Sequence, residues 1–188
     1  MNTLFDIGPV APGGFDYLTN FISTEEEEQL LASIRQFDLG NMKFHQYVAK
    51  RKVASFGLGW SFTEQQLKQG APIPNEFLFL INRVAKQVNI QPEAIVQLLV
   101  TEYPPGAVIN WHRDAPPFDI IIGISLLADC SFKLRPYAKQ LQSRHSSITL
   151  PVQRRSFYSL QGIAKNEWEH STAPLKKTRY SLTFRTLK

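Results

Sequence analysis

The stretch NWHRDAPPFDIIIGISL, residues 110–126, decides how the rest of the chain is read. Its second half is strongly apolar and must be buried, and its first half sets His112 and Asp114 two apart at the border of that buried run. Ionisable groups at the edge of a core are costly unless they have a partner or a task. Were WHRD helical, residues two apart would diverge by about 200° around the axis, whereas on a strand they share a face. The strand reading groups Asn110, His112 and Asp114 and turns Trp111 and Arg113 away.

Outward from this stretch, helices come early and strands late. STEEEEQLLASIRQF begins with Ser23 as an N-cap and Glu26 three residues on, which predicts a capping box with acidic residues at the positive helix end. In NEFLFLINRVAKQVN, Phe77, Ile81, Val84 and Val88 recur at helical spacing. Between them, RKVASFGLGWSF reads as extended segments with turns at Gly57 and Gly59, and KQGAPIPN as a loop. From residue 95 on, short runs at 95–103, 107–114, 119–127, 130–136, 147–152, 155–160, 166–171 and 177–187 alternate with turn signals. The expected fold is mainly β with flanking helices (α+β), a sandwich or jelly roll with the two N-terminal helices packed outside.

With 188 residues, 43% of them hydrophobic and 12% aromatic, the chain can bury one sizeable core, so a single domain over 1–188 is expected: a helical part to 90, then the β core over 91–188. Cys130 is the single cysteine, which excludes an internal disulfide and fits a reducing cytoplasm. The first residues lack the pattern of a signal peptide, and Ile120 to Ala128 is about half the length of a membrane helix. A soluble cytoplasmic monomer, with neither membrane nor obligate protein partner, is the expectation. The formal charge is +5, with basic clusters at 50–52, 154–155 and 176–177, which suits a polyanion partner or simply a soluble basic surface.

A neutral imidazole and a carboxylate on one face offer two ligands to a divalent metal, and two histidines with one carboxylate leave positions open for substrate and oxygen. His45, His145 and His170 remain as third ligands. His145 sits in the polar SRHSS loop, and His45 precedes the sheet region as a structural residue or substrate contact. His170, in the strand-like EWEHST, is best placed. The alternative is an imidazole merely hydrogen-bonded to a carboxylate at a strand end.

RYSLTFR, read as a strand, puts Arg179, Ser181, Thr183 and Arg185 on one face and Tyr180, Leu182 and Phe184 on the other. The two arginines stand about 20 Å apart along the backbone. Their long arms can converge over the small Ser181 and Thr183 to clamp a short dianion. The alternative is a solvated face on an edge strand. IVQLLVTEY similarly places Leu99, Thr101 and Tyr103 together, with the Tyr103 hydroxyl a donor to the same dianion.

The ordered set EYPPGAVINWHRD, ISLL, EWEHS and RYSLTFR resembles the AlkB-type Fe(II)/2-oxoglutarate dioxygenases, which remove alkyl groups from nucleic-acid bases, over roughly residues 45 to 187. The resemblance implies a double-stranded β-helix, with Fe(II), 2-oxoglutarate and O2 as cofactors. His112, Asp114 and His170 would be the iron ligands. Arg179 would hold the distal carboxylate of 2-oxoglutarate with support from Tyr103, and Arg185 would lie near its chelating end, bonded to Asp114. RKVASFGLGWSF looks like the family's nucleotide-recognition lid, with Phe62 stacking on a flipped base and Trp60 and Arg51 beside it. Alternatively Phe56, Trp60 and Phe62 are simply apolar strand residues. Thr101 and Ser181 stand where asparagines are frequent, and Pro116 and Pro117 follow Asp114 where acids are common.

The implied activity is dealkylation of DNA lesions of the 1-methyladenine and 3-methylcytosine type, with 2-oxoglutarate going to succinate and formaldehyde released. A base stacked in a duplex cannot reach such an iron, so it must be flipped or presented on a single strand. The same chemistry on RNA or protein, a non-catalytic nucleic-acid-binding jelly roll, and a structural zinc site are the alternatives.

Overall fold

The computed structural model describes residues 11–44, 47–143 and 145–188. In chain order the elements are β1 (Phe15–Leu18), α1 (Thr24–Ile34), β2 (Gly40–Phe44), β3 (Tyr47–Ser61), β4 (Gln66–Gln69), α2 (Leu78–Gln87), β5 (Ile95–Tyr103), β6 (Ile109–His112), β7 (Phe118–Leu126), β8 (Cys130–Pro136), β9 (Ile148–Val152), β10 (Phe157–Leu160), α3 (Gly162–Asn166), β11 (Trp168–Thr172) and β12 (Arg179–Leu187). One antiparallel sheet runs in the order β1-β10-β7-β12-β5-β3-β2, with β4 paired to β3; the second runs β6-β11-β8-β9. Two antiparallel sheets flanked by helices are the expected jelly-roll plan.

Strand alternation sorts the large sheet's side chains into two cores. Leu98 and Val100 of β5, Ile122 and Ile124 of β7, and Leu182 and Phe184 of β12 pack with Leu30, Ile34, Leu80 and Val84 of the helices. The opposite faces of the same strands, with Phe132 and Leu134 of β8, form the core between the sheets. Helices, large sheet and small sheet are therefore three layers, and the helices close only the outer one. α1 carries its expected capping box: the Ser23 hydroxyl accepts from Glu26 N, and the Glu26 carboxylate accepts from Ser23 N. Among the described residues no helix is long and apolar enough to cross a membrane.

Several expectations need correction. The alternative of an edge strand does not hold for β12: it lies between β5 and β7, and its polar face looks into the space between the sheets, with Arg179 and Ser181 buried and Thr183 and Arg185 half-buried. β6 ends at His112, and Asp114 lies in the loop beyond it. β1, β2, β4 and α3 were not anticipated, because each is short and carries little periodicity of its own.

Gly57 and Gly59 are not at turns; both lie inside the continuous strand β3. Gly57 adopts φ 77° where β3 stops pairing with β5 and starts pairing with β4. A Cβ there would collide with the carbonyl oxygen of Val96. The left-handed residue acts as a bulge that shifts the alternation by one. Arg51, Val53 and Ser55 before it face the same cavity as Trp60 and Phe62 after it, although their positions differ in parity.

Candidate active site

Between the two sheets lies a cavity of about 290 Å³. Its floor comes from the inward positions of β5 and β12, which pair Arg179 with Tyr103, Ser181 with Thr101, Thr183 with Leu99 and Arg185 with Gln97. These expected residues, including Leu99, Thr101 and Tyr103, share one surface because adjacent antiparallel strands in register present matched faces.

His112 and His170 are directly opposed across the β6–β11 ladder, their ring centroids 4.2 Å apart. Asp114 reaches the same point from the loop, with Oδ2 3.6 Å from His170 Nε2. Ligand atoms of the three all lie within 4.8 Å of one another. The third-ligand choice thus falls on His170. His145 is exposed, and His45 lies outside the described residues.

The protonation states suit a metal. His112 Nδ1 is 2.9 Å from the Asn110 carbonyl, which can only accept, so Nδ1 carries a proton and Nε2 is the ring atom left to serve as a ligand. Burial pulls His170 down to about 3, with His112 adding to the shift, so its imidazole is neutral at pH 7. Burial alone would push the Asp114 carboxyl up; the charge of the Arg185 guanidinium and its hydrogen bonds hold it far below the usual carboxylate range. Two imidazoles and one carboxylate, with the rest of the coordination sphere facing a cavity, fit a ferrous ion.

Arg185 donates through Nε and Nη2 to Asp114 Oδ1, and through Nη1 to Gln97 Oε1 at 2.8 Å. Gln97 in turn donates to Ser55 Oγ at 3.1 Å. This chain orients the carboxylate so that Oδ2 remains for the metal. The two arginines therefore do not converge on one dianion as the strand spacing suggested, because Arg185 is committed to the ligand set.

Arg179 is left for the anion. It is 2% exposed, its Nε donates to Ser125 Oγ at 2.9 Å, and its Nη2 has no hydrogen-bond partner among the described residues. Among the described residues no carboxylate pairs with this buried guanidinium, which is costly, and the cavity it lines supplies the place for an acidic ligand. A carboxylate of 2-oxoglutarate fits that orphaned donor, forming the fork that guanidinium groups prefer. Tyr103, with its hydroxyl 3.4 Å from Ser181 Oγ, stands beside it.

Sequence reasoning missed Ser125, Gln97 and Tyr158. Burial raises the Tyr158 hydroxyl well above its ordinary value, keeping it a donor, and its ring lies against Gly123, where any Cβ would strike it. Signals were present for all three: Ser125 is the serine of ISLL, Gln97 shares the parity of Leu99, Thr101 and Tyr103, and the glycine inside the apolar IIIGISL run marks the close approach of Tyr158.

Of the residues expected to contact substrate, Arg51, Trp60 and Phe62 all line the cavity. Phe62 is 58% exposed at its rim. Phe56 instead packs in the helix-side core, 5.1 Å from Phe37. The apolar-strand reading thus holds for Phe56, while Trp60 and Phe62 are turned to the cavity. Trp111 faces away from the metal site, as expected, and holds Arg135 over its ring.

The fold is shared with solved structures at low identity. The structure of OsALKBH1 superposes with a TM-score of 0.71 at 12% identity, covering 94% of this chain and all of that one. A prolyl hydroxylase from Trichoplax adhaerens, in complex with a hypoxia inducible factor oxygen degradation domain peptide fragment, gives 0.65 at 14% identity, covering 93% of this chain and 83% of that one. No curated protein matches the chain. The family model for the 2OG-Fe(II) oxygenase superfamily, whose members use Fe(II), 2-oxoglutarate and O2, matches residues 14–185. With that match spanning both sheets and the triad, the chain belongs to the 2OG-Fe(II) oxygenase superfamily.

Proposed function

We propose that this enzyme is of the AlkB type and oxidatively dealkylates N-alkylated bases in DNA, lesions of the 1-methyladenine and 3-methylcytosine kind. The observation that carries the reading is the side-chain set on β3 and the turn after it: Trp60 and Phe62 line the same cavity as His112 and His170, as does Arg51. An extruded base needs an aromatic surface to replace its lost stacking and a cation for its phosphate. The net charge of +5 and the fold likeness to OsALKBH1 agree with this choice.

Once bound, Fe(II) with 2-oxoglutarate and O2 supplies oxidation of an alkyl C–H bond, with 2-oxoglutarate going to succinate and carbon dioxide. The chain's residues arrange the partners. His112, Asp114 and His170 would hold the metal, and Arg185 keeps Asp114 ionised and aimed. Arg179, Tyr103 and Ser181 would bind the far carboxylate. Phe118, Ile121 and Phe132 give the cavity apolar walls that limit water. The hydroxylated N-alkyl carbon then separates from the base nitrogen as an aldehyde.

Formaldehyde release from methylated oligodeoxynucleotides tests this directly, and Phe62→Ala should raise KM for the oligonucleotide about tenfold, since stacking is worth roughly 1–3 kcal/mol per base. Release from methylated RNA alone would move the substrate to RNA. A second reading, hydroxylation of a peptide, draws on the fold likeness to the prolyl hydroxylase. Succinate formation stimulated by peptides and by no oligonucleotide would favour it.

A further inference from the structure

Arg113 occupies an unusual place. It stands between two members of the triad, yet its side chain is exposed and lines the rim of the cavity. The strand reading turned it away; because β6 ends at His112, alternation no longer governs its direction. Its guanidinium lies 3.6 Å from the centroid of the Tyr137 ring, and Nη1 donates to the Asn166 carbonyl at 2.8 Å. Tyr137 is itself tied down, its N–H donating to the Glu167 carbonyl at 2.8 Å. Among the described residues no carboxylate forms an ion pair with Arg113.

A neighbour shows what a structural version of this arrangement looks like. Arg135 also lies over an aromatic ring, that of Trp111 at 4.2 Å, but its Nε donates to Glu169 at 2.5 Å and its charge is neutralised within the protein. Arg113 has the same platform without the acid. Stacking and one carbonyl bond hold its plane, while the remaining N–H groups stay available to an outside anion. Such pre-organisation lowers the entropy lost when the anion is bound.

The geometry points to Arg113, laid on Tyr137, as a phosphodiester-holding residue that positions the substrate strand. It acts from the small-sheet side of the cavity mouth, across from Arg51 on β3 of the large sheet. This assignment rests on the nucleic-acid reading above and adds to it: the strand is held on both sides of the reacting base.

The experiment is anisotropy of a fluorescent single-stranded DNA decamer, measured over a salt series, with the full chain loaded anaerobically with Fe(II) and 2-oxoglutarate. Arg113→Gln is expected to weaken binding roughly three- to tenfold and to flatten the log Kd against log salt slope by about 0.7, the value of one single-strand phosphate contact. Arg113→Lys should keep the slope while losing affinity, since charge survives and the planar fork does not. A folded Arg113→Gln protein with an unchanged slope overturns the assignment. Should that variant fail to fold, Tyr137→Leu carries the test: affinity at least threefold lower supports the platform, and unchanged affinity removes it. Wild-type protein that binds with the Arg113-dependent slope but releases no aldehyde from any methylated oligonucleotide loses the dealkylase function and keeps the phosphate site. Aldehyde release alongside an unchanged Arg113→Gln slope gives the reverse.

Discussion

Arg185 grips a single oxygen of Asp114, with Nε at 3.0 Å and Nη2 at 2.7 Å from Oδ1, and so leaves Oδ2 turned toward His170. The arginine lies on β12 and the carboxylate in the loop after β6, so a residue of the large sheet aims a ligand held at the end of the small one. Ligand geometry depends on both sheets at once.

Removing that grip should be felt by the metal first. Arg185→Met is expected to lower Fe(II) or Co(II) affinity roughly 10- to 100-fold, the usual cost of losing a group that orients a metal ligand. Anaerobic titration followed by the Co(II) visible spectrum checks this, and unchanged affinity would show that the loop alone positions Asp114.

Arg179 should separate cosubstrate binding from stability. Arg179→Met removes a buried charge that has one unpaired nitrogen, so the cosubstrate-free protein is expected to melt at the same or a higher temperature. The variant should lose the rise in Tm that 2-oxoglutarate gives the Fe(II)-loaded wild type, and KM for 2-oxoglutarate should rise at least a hundredfold. Calorimetry with and without 2-oxoglutarate reads both effects.

The metal-free protein should weaken in mild acid. His170 is held down to about 3, below the ordinary 6.5 that it regains on unfolding. Between those values the unfolded chain binds the extra proton, so stability present above pH 6.5 is lost as pH falls toward 3. Asp114, also depressed, adds to the loss below about pH 4. Urea midpoints from pH 7.5 to 4.5 should fall steadily for the wild type and less steeply for His170→Asn.

The bulge at Gly57 should be intolerant of a side chain. Gly57→Ala places a methyl against the Val96 carbonyl at a left-handed φ of 77°. A loss of about 1–3 kcal/mol is expected from denaturant unfolding. Restoring regular alternation would also turn Trp60 and Phe62 from the cavity, so oligonucleotide binding should weaken by more than that of Fe(II).

Much of this enzyme is written locally. The capping box at Ser23 and Glu26, the helical spacing of Phe77, Ile81 and Val84, and the inward parity of Arg179, Ser181, Thr183 and Arg185 are short-range patterns, and the chain alone determined them. His112, Asp114 and His170 were also legible, because so few residue types can ligate iron and their motifs come in a recognisable order. What only the tertiary structure decided is which side chain stands opposite which. His112 faces His170, Arg185 reaches Asp114 and Gln97, Arg179 finds Ser125, and Gly57 turns Trp60 inward. Each of these depends on the register of strands far apart in the chain, and a one-residue slip would exchange every partner and reverse every face. Register is set by the summed packing of both cores and not by any local run of residues, so no single stretch could have announced it.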